Sequence, residues 1–395
     1  MFNSLIAYDI SELGKKKVIS ASKKLFKNGV IGEEQLEKIN EAYASKIYSP
    51  PVLMKLALYM LSVIALSFGL GLTALSGIIE YQFISLILGA LLLFFTEKLF
   101  IKDNFHFRSG VTEAGIYTGL SLVAYGILGF ETDSVLLYLL VGFVLSAFAA
   151  VRYLDRFALV AALGFLGSII FNTVTEIGGT AEALLPFIFF GFFALIFWLA
   201  QRFEEKFSDV IYRDHFMVIK YLCLALIYAS VNYYVVRELS VELMGLNLSE
   251  QDDIPFAGLF YILTVFIPLG YLIWGIKSRS ILFIRVALIT ITLSLVTFQY
   301  YFMPNAVMAA VTLAGGVLIL VALGLFNYLK QAPSGYTSDK LLDETLGSKN
   351  FAAIIASQTL GGNASDLSPS DAEQAGFDQG FGDGRFGGAG ADSNW

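Results

Sequence analysis

The stretch VLMKLALYMLSVIALSFGLGLTALS, residues 52–76, carries a single charge, Lys55. A helix needs about 20 apolar residues to cross the hydrocarbon layer of a bilayer, and a helix apolar on every side has no face to offer water. Nine more stretches of this kind come after it, at 83–100, 111–130, 135–151, 157–174, 183–200, 216–236, 256–276, 281–301 and 306–329. The fourth and fifth are short enough that one of them could be a buried or re-entrant segment in place of a full span. The expected fold is an all-α membrane protein, a polytopic bundle of about ten transmembrane helices, with nine to eleven as the range of the count.

Composition agrees. The chain is 56% hydrophobic and only 15% charged, which excludes a water-soluble domain of 395 residues. Its 35 Phe and 20 Tyr suit helix interfaces and headgroup depth. Cys223 is the one cysteine and lies inside an apolar run, so neither an intrachain disulfide nor a thiolate metal cluster is available. The opening residues MFNSLIAYDISELGKKK lack the pattern of a signal peptide, so insertion is expected to begin at the first span.

Loop charges give the orientation, because cytoplasmic loops carry an excess of Lys and Arg. Alternate connections hold Lys98, Lys102 and Arg108, then Arg152 and Arg156, then Arg202, Lys206 and Arg213, then Lys277 and Arg279. The others hold Glu80, then Glu131 and Asp133, then Glu176 and Glu182, then Glu238, Glu242, Glu250, Asp252 and Asp253 against one cation, Arg237. Both termini are therefore expected in the cytoplasm.

The chain accordingly has three parts: a cytoplasmic hairpin at 1–51, the bundle at 52–329, and a tail at 330–395. In the hairpin, a first helix with Lys15, Lys16, Lys17, Lys23, Lys24 and Lys27 is ended by Asn28-Gly29. A second, from about Glu33, puts Leu36, Ile39, Tyr43 and Ile47 on one stripe before Pro50-Pro51 ends it. Its lysines suit attraction to anionic lipid heads, with docking of a protein partner as the alternative. Nucleic acid is not expected, because no aromatic platform accompanies the charge. The tail is rich in Gly, Ser, Asp and Ala and cannot bury a core, so it is read as disordered. Within it Phe351, Ile354 and Ile355 share one helical face, while Phe377, Phe381, Phe386 and Trp395 stand apart on Gly/Asp spacers, so both groups are candidate partner-binding residues.

The run LFKNGVIGEEQLEKINEAY at 25–43, leading into LMKLALYMLSVIALSFGLGLTAL from Leu53, resembles the bacterial integral membrane proteins of the domain-of-unknown-function 2157 family. The resemblance covers roughly residues 20–150. It implies a bacterial inner-membrane protein and no assigned chemistry. The Gly/Phe tail ending in Trp also looks like the tails of some bacterial membrane-anchored proteins of the TPM-domain type.

No GxxxxGK[ST], HExxH or GxSxG motif occurs in the sequence. His106 and His215 both fall in basic loops and read as ordinary polar residues. Ionisable groups deep in a span mark transporters and pumps, and here Glu113 stands in the first turns of the third span, with Arg108 as a partner in reach, while Arg285 is about a turn inside the ninth. Thr290, Ser294 and Thr297 recur at helical spacing on the ninth span, with Asn172 and Asn232 elsewhere, and such groups either satisfy one another across helices or line a wet path. Gly115 with Gly119, and Gly164 with Ser168, predict close helix contacts. Pro268 predicts a kink in the eighth span and Pro186 a helix start. The function expected is a non-enzymatic membrane component without cofactor or metal, acting through partners; the alternative is a transporter or channel for an uncharged or lipidic solute. Glu113, Thr290, Ser294 and Thr297 are the candidate functional polar residues.

Overall fold

A computed structural model describes residues 5–27, 29–75, 82–129, 134–206, 212–244 and 253–302, with a few more between 315 and 327. Among them the fold is all-helical. In chain order the helices are α1 Ile10–Lys27, α2 Glu33–Ala42, α3 Val52–Leu75, α4 Gln82–Phe95, α5 Val111–Leu128, α6 Val135–Arg152, α7 Arg156–Ile177, α8 Thr180–Lys206, α9 Arg213–Ala229, α10 Tyr233–Glu242, α11 Ala257–Lys277 and α12 Ile281–Phe302. Eight described helices are long and apolar enough to cross a membrane, and α9 with α10 add a ninth if the bent pair is one span. The chain is a membrane protein. Of the expected tenth span only scattered helical residues are described, and the whole tail lies outside the described residues, including Phe351, Ile354, Ile355, Phe377, Phe381, Phe386 and Trp395.

The described chain divides into two compact units, one covering Ala7–Ile127 and the other taking in the helices from Leu128 onward. In the first unit, α1 stops where Gly29 adopts a left-handed φ of 70°. The stripe of Leu36, Ile39, Tyr43 and Ile47 is cut short because α2 ends at Ala42. Backbone beyond it has other partners: the Lys46 N–H donates to the Glu12 carboxylate at 2.8 Å, and Tyr48 exchanges backbone hydrogen bonds with Phe105 and Phe107 at 3.0 and 2.9 Å. Those bonds compete with continued helix and hold residues 45–48 extended.

The Gly115/Gly119 pair does mediate close contact. A Cβ on Gly89 of α4 would lie 2.7 Å from the Gly119 carbonyl, and one on Gly115 would meet the Thr96 hydroxyl at 2.4 Å. Past Phe95 the helix widens into a π-helical stretch, Thr96–Asp103, three residues beyond the expected end. There the five-residue spacing brings Lys102 within 2.8 Å of Glu97. No residue of α3 is buried.

In the second unit, α6 and α7 are continuous helices of 18 and 22 residues, each long and apolar enough to cross a membrane. Ser134 caps α6 and Asp155 caps α7 through the Leu137 and Ala158 N–H groups. Among the described residues nothing stands within 4 Å of a Cβ at Gly164, whereas a Cβ on Gly167 would meet Phe193 at 3.7 Å. Arg156 pairs with Asp214 at 2.7 Å, and Lys220 with Glu204, which ties α7, α8 and α9 together at their basic ends. Pro186 lies inside α8 and is not at its start, and Pro268 lies inside an unbroken α11.

The largest departure is in the seventh span. A continuous helix over 216–236 is expected, but α9 ends at Ala229 and α10 leaves it at 77°.

Candidate functional site

Two polar clusters stand out, one in each unit. The first is built on the break between α9 and α10. Asn232 is 2% exposed, and its side-chain carbonyl caps α10 by accepting the Val235 N–H at 3.2 Å. Its amide donates to the Tyr228 hydroxyl at 2.8 Å and to Thr297 Oγ1 at 3.1 Å. Ser294 also bonds Tyr228, and Thr290 Oγ1 donates to its own helix at the Val286 carbonyl, 2.9 Å away. So Thr290, Ser294 and Thr297 are all buried, and the last two join α12 to the break.

Toward the acidic side the same network becomes aromatic and charged. The Tyr233 N–H donates to Thr264 Oγ1 at 2.9 Å, which ties the first turn of α10 to α11. The Tyr233 hydroxyl donates to Asp253 and accepts from Arg237. Its ring stacks on Tyr261 with centroids 4.1 Å apart and meets Tyr301 edge-on at 4.9 Å. Tyr301 donates to Glu238 at 3.2 Å and lies under the Arg237 guanidinium, 5.6 Å from ring centroid to charge. A break in a membrane helix frees backbone groups that must find partners inside the protein, and here Asn232 takes the Val235 N–H and Thr264 of α11 the Tyr233 N–H, while Tyr228 of α9 and Thr297 of α12 hold the Asn232 side chain in place.

The second cluster is the basic-side junction of the first unit, where Glu113 lies. Gly110 N–H donates to the Glu113 carboxylate at 2.7 Å and the Thr112 hydroxyl does so at 2.8 Å. That is half of a capping box at the start of α5. Glu113 also faces the charge of Lys55 on α3. Glu113 is thus a helix-cap residue by geometry. Fully buried Ser109 and Thr112 brace it, and His106 Nδ1 lies 3.1 Å from Ser109 Oγ. Burial holds the His106 imidazole below its ordinary range.

The loop carrying these residues is strained. Phe105 and Arg108 both take φ of 51°, unusual for residues with a Cβ. Gly110, at φ of 92°, presses so closely on α3 that a Cβ would lie 2.2 Å from the Lys55 carbonyl. Sequence reading missed this junction as a unit because its members come from α1, residues 45–48, α3 and the loop before α5. The available signal was the run Phe105-His106-Phe107-Arg108, aromatic and basic side chains alternating just ahead of a span.

Asn172 sits apart from both clusters and donates to Glu176 at 2.8 Å on the same helix. Compared with family models, with curated proteins and with solved structures, the chain finds no match.

Proposed function

We propose that the chain is a non-enzymatic component of a bacterial inner membrane, basic loops and both termini in the cytoplasm, that works by associating with partners. The resemblance of its hairpin and first span to the domain-of-unknown-function 2157 proteins is in keeping with that placement. The observation that carries the reading is the fate of the polar stripe on α12. Ser294 and Thr297 spend their hydroxyls on Tyr228 and Asn232, and Thr290 spends its own on the helix backbone. Groups committed to each other in this way hold helices together, leaving the hairpin and the tail as the parts that face other molecules. The test is truncation after Gln331, comparing co-purifying partners of a folded, monodisperse product with those of the full chain and of a tail with Phe377, Phe381 and Phe386 changed to Ser. The reading expects partners to be lost in both variants. The same partners in all three would sink it.

A transporter or channel for an uncharged or lipidic solute is favoured by one observation, the broken helix itself. Interrupted spans form the substrate sites of many transporters, and the break here adjoins α11, whose Pro268 is fully buried. In a Cys223→Ser background, a cysteine at Thr297 that reacts with a polar thiol reagent, and is protected by a solute, would move the assignment to this second reading.

A further inference from the structure

The lysine run at 15–17 has the look of a solvated face, yet Lys16 does not behave as one. Its Nζ is buried and has no hydrogen-bond partner among the described residues. It lies 5.3 Å from the centroid of the Phe107 ring, and the Arg108 guanidinium lies 5.1 Å from the same centroid. Both cations therefore gather at one ring. A third joins them, because the contact of Gly110 with the Lys55 carbonyl seats this loop directly on the first turn of α3. Lys55 and Arg108 both repel Lys16, and that repulsion, after burial, pushes the Lys16 ammonium down to about 8.

The described acids nearby give the Lys16 ammonium no hydrogen-bond acceptor. Glu12 is held by the Lys15 ammonium at 2.7 Å and the Lys46 N–H at 2.8 Å. Glu113 faces Lys55 but is hydrogen-bonded by Gly110 and Thr112. An ammonium taken out of water without an acceptor is costly. A buried Lys16 ammonium held beside two further cations on a strained loop points to an anionic acceptor outside the described residues.

We propose that Lys16, Lys55 and Arg108 form a cradle for a phosphate group, the Arg supplying a planar fork and the two lysines point charges. A phosphate fits this set because its oxygens accept from several donors at once and its charge offsets the mutual repulsion. The shared chemistry has two sources at a membrane boundary, the headgroup of an acidic phospholipid and a soluble phosphate. The cradle does not depend on the partner-association reading.

The test uses the full chain in nanodiscs. Thermal stability is compared in phosphatidylcholine alone, in phosphatidylcholine with phosphatidylglycerol, and in phosphatidylcholine with inorganic phosphate against chloride of matched ionic strength. A rise with phosphatidylglycerol alone identifies a headgroup site, and a rise with phosphate identifies a soluble ligand. In either case Lys16→Met and Arg108→Gln should raise the anion concentration needed by about ten-fold, roughly one decade in affinity, while Lys38→Met should not. Lys38 is an exposed lysine of α2 paired with Glu34, so it controls for bulk attraction. Arg108→Lys, which keeps the charge and loses the fork, should fall between the native chain and Arg108→Gln, and it serves if Lys16→Met does not fold. No rise in either anion, or an equal loss in Lys38→Met, overturns the cradle.

Discussion

The break at Asn232 and the junction at Lys16 are both places where polar groups are packed beside irregular backbone, and they resolve the problem in opposite ways. At the break, Asn232 bonds α10, α9 and α12, and Tyr233 bonds Asp253 and Arg237. At the junction the carboxylates are taken up locally, and the Lys16 ammonium is left with an aromatic face and no acceptor among the described residues. A network that closes on itself acts as a brace. One that leaves a buried charge open is built to receive something, so the two clusters should respond differently to mutation, pH and ligands.

The largest expected effect is at the brace. Asn232→Leu removes the cap of α10, worth about 1 kcal/mol, and interhelical bonds worth about 0.6 to 1.7 kcal/mol each in a membrane. A loss near 3 kcal/mol should result, read as a lower midpoint of unfolding in detergent. Asn172→Leu, which removes only an exposed bond within α7, should stay within about 0.5 kcal/mol of the parent. If the two variants unfold alike, the break is not a brace and the comparison fails.

Next comes Gly110→Ala. The residue needs a left-handed φ of 92°, and an added Cβ would stand 2.2 Å from the Lys55 carbonyl. Strain of about 1 to 2 kcal/mol combines with overpacking of about 1 to 3 kcal/mol, so a loss of about 2 to 3 kcal/mol is expected where α3 or the loop yields somewhat. The same variant should weaken any phosphate-induced stabilisation, since the contact is what brings Lys55 to Arg108. An unchanged melting temperature would separate the loop from α3.

How far the sequence could reach is clearest at these same residues. Hydropathy placed the described spans well because each is set by its own apolar run, as at Val52–Leu75. It could not see the 77° bend: no Pro or Gly interrupts 216–236, and the only local hint is Asn232 in an N-cap position ahead of Tyr233. Thr290, Ser294 and Thr297 were legible as a stripe, since helical spacing shows which residues share a face, but not which partner that face meets. The cradle was illegible for a different reason. Lys16, Lys55 and Arg108 are brought together by extended pairing at Tyr48 and by the backbone contact at Gly110, neither of which leaves a periodic trace.

A smaller effect concerns pH: two groups on α1 both make stability rise with pH, in separate windows and for opposite reasons, one because its charged form is favoured and the other because it is disfavoured. Glu12 is held below its ordinary range by the Lys15 ammonium and then by the Lys46 N–H. Its stabilisation is present above the unfolded carboxylate value and is lost as pH falls through the folded one. Lys16, at about 8 against an ordinary 10.5, is lowered because burial and its neighbouring cations disfavour the ammonium, so its window lies in the alkaline range. Between those values the unfolded chain holds a proton that the folded chain has released, so stability rises with pH across that window and is flat beyond it. Melting temperatures in anion-free phosphatidylcholine nanodiscs should show the alkaline rise in the native chain and not in Lys16→Met. Phosphate should also erase the rise, because it stabilises the ammonium in the folded state.

The smallest expected effect is at Glu113, where it decides most about function. The carboxylate accepts the Gly110 N–H and the Thr112 hydroxyl, and a glutamine side-chain carbonyl can accept the same two bonds. Glu113→Gln therefore loses only charge: the favourable interaction of an anion with the first turn of α5, about 0.3 to 1 kcal/mol, and its attraction for Lys55. Removing the carboxylate that faces Lys55 should also tighten phosphate binding, the opposite of Arg108→Gln. Under the helix-cap reading, Glu113→Gln folds, melts within about 1 kcal/mol of the parent and keeps its cellular phenotype, whereas Glu113→Ala, which leaves the Gly110 N–H without its acceptor, is the less stable of the pair. A Glu113→Gln chain that folds as well as the parent but loses its phenotype would show that the charge is used in function, and it would turn the junction from a receptive structural site into a working one.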